Sequence, residues 1–68
     1  MVLDENFDIR TFTAGVLTYV GKAPRGSATS DAYWQIKRVD QTSDIVITYA
    51  DGTDKFDKVW DDLATYSY

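Results

Sequence analysis

The side chains best suited to chemistry in this sequence are acidic ones crowded into twelve positions near its end: Asp51, Asp54, Asp57, Asp61 and Asp62. Carboxylate oxygens of this kind are ligands for hard cations such as calcium. Their order differs from that of an EF-hand loop, which needs closely alternating acidic residues, a glycine and a later glutamate. We therefore favour turn, cap and solubility roles around Asp51-Gly52, with calcium binding as the alternative.

The chain has few residues suited to other kinds of catalysis. The chain has neither histidine nor cysteine, which excludes Ser/His/Asp and Cys/His nucleophile systems and the common zinc sites. Gly15 and Gly21-Lys22 suggest a phosphate loop, but five residues separate the glycines where the motif has four, and Ala23 replaces its hydroxyl residue. The aspartates offer no pair whose environments would separate their pKa values for glycoside hydrolysis. We expect no enzymatic activity, cofactor or metal.

Length and charge restrict the partners. A chain of 68 residues has room for one domain with a small core, so self-association or docking on a larger protein is favoured. The net charge of −4 means that the chain has no excess of basic residues, which argues against nucleic acid and anionic membrane surfaces as partners. No apolar run approaches the roughly 20 residues that span a bilayer.

Alternating apolar residues predict strands at 16–22, 33–39 and 45–49, with a possible fifth at 63–68. A further strand is predicted at 7–13, although its alternation breaks at Arg10 and Phe12. Turn-forming and small polar residues at 23–31 predict a surface loop. The spacing of Phe56, Val59, Trp60 and Leu63 predicts a helical face. We expect a mainly β domain at residues 7–68, preceded by a flexible arm at 1–6. Its fold is predicted as a small antiparallel meander or partly open barrel of four to five strands, with one short helical turn near residues 54–62.

Aromatic and β-branched residues divide between a predicted core and a predicted interface. The predicted core consists of Leu17, Tyr19, Trp34, Ile36, Ile45, Ile47, Phe56, Val59 and Trp60. Tyr33, Tyr66 and Tyr68 lie on strand faces that also carry polar or small residues, which favours them as surface anchors. Arg25 and Ser27, in the predicted loop, are further interface candidates.

Four segments carry a distinctive pattern: residues 19–30 (YVGKAPRGSATS), 33–38 (YWQIKR), 48–52 (TYADG) and 56–61 (FDKVWD). The pattern resembles small proteins encoded by tailed bacteriophages, over about residues 16–68. These proteins are associated with virion structural genes. They often carry Trp before Ala-Asp-Gly and Asn-Arg after Trp-Asp, where this chain has Tyr49 and Asp62-Leu63, a departure that affects shared surface contacts more than the fold.

The resemblance implies a non-enzymatic virion protein, made in the host bacterial cytoplasm. It would dock in multiple copies on a larger tail or capsid protein through strand-edge pairing and aromatic contacts. A free-standing module that recognises a glycan or peptide through surface tyrosines and the loop at 27–30 is the alternative. A third hypothesis, an acidic inhibitor or nucleic-acid mimic, is disfavoured because a charge of −4 is modest.

Overall fold

The protein folds as one open antiparallel sheet. A computed structural model describes residues 6–68, so the predicted N-terminal arm lies outside the described residues except for Asn6. The strands lie in the order β1-β2-β3-β4, and the bounds are β1 (Phe7–Ala14), β2 (Leu17–Pro24), β3 (Gln35–Asp40) and β4 (Val46–Tyr49). Two 3₁₀ turns follow, at Ala50–Gly52 and Trp60–Thr65. The predicted mainly β meander is confirmed, and the sheet does not close into a barrel.

A two-residue turn sets how β1 pairs with β2. Ala14 pairs with Leu17, which leaves a two-residue connection whose first residue, Gly15, has a φ of 61°. Glycine adopts positive φ without a steric penalty, and a first-position glycine is typical of a type II′ turn, whose twist matches that of the flanking strands. This turn fixes the register of the eight-residue β1 against β2.

The two faces of the sheet differ in how deeply they are buried. Tyr19, Gly21, Ala23 and Ile36 alternate along β2 and β3 on one face, and all four are buried. On the other face the intervening residues of both strands are only half-buried: Thr18, Val20, Lys37 and Val39. We call this second side the open face. A chain of 68 residues covers one sheet face with its remaining segments and leaves the other partly in solvent.

Two tryptophans form the centre of the core. Trp34 is fully buried and Trp60 is 7% exposed, and their ring centroids lie 5.7 Å apart at a 41° angle. Gly21 lies directly beneath them, where an added Cβ would stand 2.4 Å from Cε3 of Trp60. The absent side chain of Gly21 therefore allows Trp60 to approach the sheet.

The C-terminal segment covers this core without forming a strand or a regular helix. Trp34 and Lys58 exchange two backbone hydrogen bonds, each of 2.9 Å, and the second 3₁₀ turn begins two residues later at Trp60. The backbone N–H of Asp51 donates to the carbonyl of Ser67 over 2.6 Å. These long-range bonds satisfy backbone groups that a helix or an added strand would otherwise pair.

The position of the helical turn differs from the prediction. It spans Trp60–Thr65 and overlaps the predicted range of 54–62 only in its first three residues, because the bridge between Trp34 and Lys58 holds the preceding backbone extended. The possible fifth strand at residues 63–68 is wrong. Residues 63–65 belong to the 3₁₀ turn, and no strand follows it.

The predicted core is correct in its centre and wrong at its edges. Tyr19, Trp34, Ile36 and Trp60 are buried, as predicted, and Leu17 and Val59 are half-buried. Ile45 and Ile47 are instead 68% and 58% exposed, because their alternation directs Ile47 to the open face and the C-terminal segment covers the opposite one. Phe56 is 38% exposed, since it stacks on Phe7 at the sheet's margin, with ring centroids 5.7 Å apart.

The contact between Gly21 and the tryptophans predicts the effect of adding one methyl group. Gly21→Ala forces Trp60 away from the sheet and should lower the free energy of unfolding by about 1–3 kcal/mol, the usual cost of overpacking. Thr11→Ala places alanine on the open face at an exposed residue of β1 and should change it by no more than about 0.5 kcal/mol. Urea unfolding followed by tryptophan fluorescence measures both. Equal losses would contradict the packing described here.

Tyr68 predicts a loss of stability at high pH. Burial, followed by the charge of nearby Tyr19, raises the pKa of Tyr68 from 10.0 to about 12. The folded state therefore favours the neutral phenol, and this contribution to stability is complete below pH 10 and is lost as the pH rises towards 12. Absorbance titration should show a tyrosine phase near pH 12 that is absent in Tyr68→Phe. Identical titration curves of the wild type and Tyr68→Phe above pH 11, apart from total amplitude, would contradict this assignment.

Candidate binding site

The loop between β2 and β3 begins with a tight turn at the end of β2. The backbone N–H of Ser27 donates to the Pro24 carbonyl over 3.1 Å, and the Ser27 hydroxyl donates to the same oxygen over 2.6 Å. Gly26 has a φ of 88°, which glycine adopts without strain. Its N–H donates to Asp8 Oδ2 over 2.9 Å, so the turn is also fixed to β1.

A second turn ties the loop to the core. Asp31 Oδ2 accepts the N–H of Ala28 over 2.9 Å, and the N–H of Asp31 donates to the Ala28 carbonyl over 3.0 Å. That carbonyl also accepts Nε1–H of the buried Trp34 over 3.0 Å. The N–H of Asp61 donates to the carbonyl of Thr29 over 3.2 Å. The loop is thus held by the same tryptophan that centres the core.

The two turns enclose a shallow concavity of about 350 Å³. Its lining residues are Pro24, Arg25, Gly26, Ser27, Asp31 and Tyr33. Three of the five predicted interface residues, Arg25, Ser27 and Tyr33, therefore come together here. Pro24, Gly26 and Asp31 were missed individually, although they lie at the edge of or within the loop whose composition marks it as a surface segment.

The concavity offers groups of opposite hydrogen-bonding character. Tyr33 is 56% exposed, and among residues 6–68 its ring packs against no other aromatic ring. The Arg25 guanidinium has no ion-pair or hydrogen-bond partner within the same residues. Asp31 uses Oδ2 internally and presents a second carboxylate oxygen as an acceptor.

Tyr66 and Tyr68, the other predicted anchors, lie on the core instead. The Tyr66 hydroxyl accepts the N–H of Val59 over 2.8 Å. The Tyr68 ring packs edge-on against Tyr19, with centroids 5.6 Å apart, and its hydroxyl donates to the Leu63 carbonyl over 2.7 Å. Both phenols bond within the C-terminal segment, and both residues are half-buried.

The acidic residues near the end of the chain are spread over separate local contacts. Asp51 Oδ1 accepts the N–H of Ser67 over 3.1 Å, whereas Asp57 pairs with the ammonium of Lys58. The hydrogen bond from Lys58 holds the pKa of Asp57 below its ordinary value. Across residues 6–68, no three His, Cys, Asp or Glu side chains are grouped so that they could hold a metal ion.

A second candidate surface lies at the β4 edge of the sheet. Ile45, Val46 and Ile47 are 68%, 51% and 58% exposed, and β4 is the last strand in the sheet order. Ile47 lies beside Val39 of β3, and the half-buried Tyr49 follows on the same face. We call these five residues the β4 surface. Sequence reasoning missed its exposure, although three consecutive β-branched apolar residues are an available signal.

Comparison with known proteins gives no relatives: no family model matches the chain, and no curated protein or solved structure matches it. Among the described residues, no helix has the length and apolar character needed to cross a membrane. The features of the chain that bear on function are therefore the concavity, the β4 surface and the sequence pattern.

The bonds of Asp31 predict that this side chain stabilises the loop. Asp31→Ala removes the acceptor of the Ala28 N–H and should lower the free energy of unfolding by about 1 kcal/mol. It should also speed hydrogen exchange at the Ala28 amide. Asp44→Ala makes the same change of charge at an exposed residue and should stay within about 0.5 kcal/mol of the wild type. Unchanged exchange at Ala28 in Asp31→Ala would contradict the assignment.

Proposed function

We propose that the chain is a non-enzymatic structural protein of a tailed-bacteriophage virion. It is made in the host cytoplasm and docks in multiple symmetric copies on a larger tail or capsid protein. The sequence pattern supports the phage setting, because residues 16–68 resemble small phage proteins associated with virion structural genes. The β4 surface supports docking.

The observation that carries the proposal is the run of exposed apolar residues at the sheet's edge. Ile45, Val46 and Ile47 are consecutive, and each is at least 51% exposed. Three exposed apolar residues in a row are unfavourable in an isolated soluble domain unless they serve an interaction. Burying each of these side chains against a partner would contribute about 1.5–3 kcal/mol at most.

The geometry of β4 suits strand addition. Within residues 6–68, β4 pairs on one side only, with β3, so its outer edge presents backbone groups to a partner strand. Main-chain hydrogen bonds along such an edge give affinity, and alternating side chains give specificity. Ile47 and Tyr49 lie on the open face and Val46 on the opposite one, so a docked partner would contact both sides of the edge.

The size of the domain favours the same function. A 68-residue chain buries only about 60% of its unfolded surface, and here the open face of the sheet is only half-buried. Docking a larger protein against β4 and the adjoining open face would add apolar burial that the chain does not supply itself. Repetition of the contact by symmetry would place many copies on one particle.

Mass spectrometry of purified particles tests the proposal, using the phage whose genome encodes this chain. The wild-type protein should be present at a copy number that matches head or tail symmetry. Ile47→Lys should reduce incorporation at least about tenfold, because a charge replaces a buried apolar contact. Val16→Lys is the matched control, since Val16 is 50% exposed in the β1–β2 turn, and it should be incorporated normally.

Two results would overturn the proposal. Absence of the wild-type protein from purified particles would remove the virion role. Normal incorporation of Ile47→Lys would remove docking through β4. Circular dichroism should show both lysine variants folded, because each replaces a side chain that is at least half exposed.

A further inference from the structure

The concavity beside Tyr33 presents an aromatic ring that the fold does not use. Tyr33 is 56% exposed, directly before Trp34, which is fully buried. None of the hydrogen bonds of the surrounding loop involves the Tyr33 hydroxyl within the described residues. A large aromatic face held next to a fixed residue, but not packed, is available for a ligand.

Hydrogen-bond donors and hydrogen-bond acceptors both surround the Tyr33 ring. Arg25 supplies guanidinium donors with no partner in residues 6–68. Asp31 supplies a carboxylate oxygen beyond the one bonded to Ala28. The Ser27 hydroxyl donates its proton to Pro24, which leaves its oxygen as an acceptor. A ligand here meets donors and acceptors on one side and an apolar face on the other.

The site is also held in place before any ligand binds. The Pro24 carbonyl fixes Ser27, Asp8 fixes Gly26, and the indole N–H of Trp34 fixes Ala28. Binding to a loop that is already ordered avoids much of the entropy cost of ordering it. This permits a small ligand with few contacts to bind measurably.

We propose that the concavity binds a saccharide. A sugar ring would place its C–H face on Tyr33, since those hydrogens carry partial positive charge towards the negative face of the aromatic ring. Its hydroxyl groups would accept from Arg25 and donate to Asp31. The site shares no residue with the β4 surface, so the inference stands independently of the virion proposal.

A saccharide suits the site better than an extended peptide. Each sugar hydroxyl is both a donor and an acceptor, which matches the mixed character of Arg25, Ser27 and Asp31. Extended peptides are commonly bound by adding a strand to a sheet edge, whereas the lining residues after Pro24 lie in the loop between β2 and β3. The volume of about 350 Å³ lies at the lower end of ligand sites, which range over about 300–1,000 Å³.

Nuclear magnetic resonance titration of the isolated chain tests this site. The probes are the methyl glycosides of glucose, galactose, mannose and N-acetylglucosamine. At least one should produce saturable shifts confined to the amides of residues 25–33. Tyr33→Ala should weaken binding at least about tenfold, equivalent to about 1.4 kcal/mol. Tyr33→Phe should retain most of the affinity, because it keeps the ring.

Two further variants show whether a change in saccharide binding is specific to the concavity. Arg25→Gln should weaken the same saccharide. Ile9→Ala should not, because Ile9 has the same 56% exposure as Tyr33 but does not line the concavity. The proposal is overturned if no probe shifts the loop amides, if Tyr33→Ala binds as well as the wild type, or if an acidic peptide binds the loop and displaces the glycosides. None of these results depends on incorporation into particles.

Discussion

The packing of Trp34 and Trp60 over Gly21 is the interaction on which the rest of the structure depends. Trp34 is fully buried, and its backbone and indole groups bond to Lys58 and Ala28 respectively. One residue therefore joins the sheet, the C-terminal segment and the β2–β3 loop. Two large rings fill a core that contains few other buried side chains, and the glycine beneath them allows this close approach.

This arrangement explains why the candidate functional surfaces lie where they do. The C-terminal segment packs mainly on the tryptophan face, so the open face is only half-buried and Ile45, Val46 and Ile47 at the β4 edge are exposed. The Trp34 indole that fills the core also donates a hydrogen bond to the Ala28 carbonyl in the β2–β3 loop. Tyr33 and Arg25 lie in this loop and are exposed. Core packing thus leaves both an exposed edge strand and a small preformed concavity in a domain of 68 residues.

The sequence predicted β2 and β3 well because they alternate, and it predicted the loop from its turn-forming residues. It did not predict which face of β4 is covered, because alternation assigns Ile45 and Ile47 to one face without saying what packs on it. The helical spacing at 56–63 was misleading, since long-range bonds between Trp34 and Lys58 override local preference. Tyr66 and Tyr68 were wrongly predicted at the surface because their hydrogen bonds, to Val59 and Leu63, lie within an irregular segment whose contacts sequence periodicity does not predict.

Native-state hydrogen exchange tests the central role of Trp34 most directly. We expect the amides of Trp34 and Lys58 and the Trp34 indole N–H to exchange only with global unfolding. Their opening free energies should equal those of the central β2–β3 amides, because one packing unit holds all of them. Rapid exchange at Lys58 and the indole, with β2 and β3 still protected, would show that the C-terminal segment opens separately and that Trp34 does not hold it to the sheet.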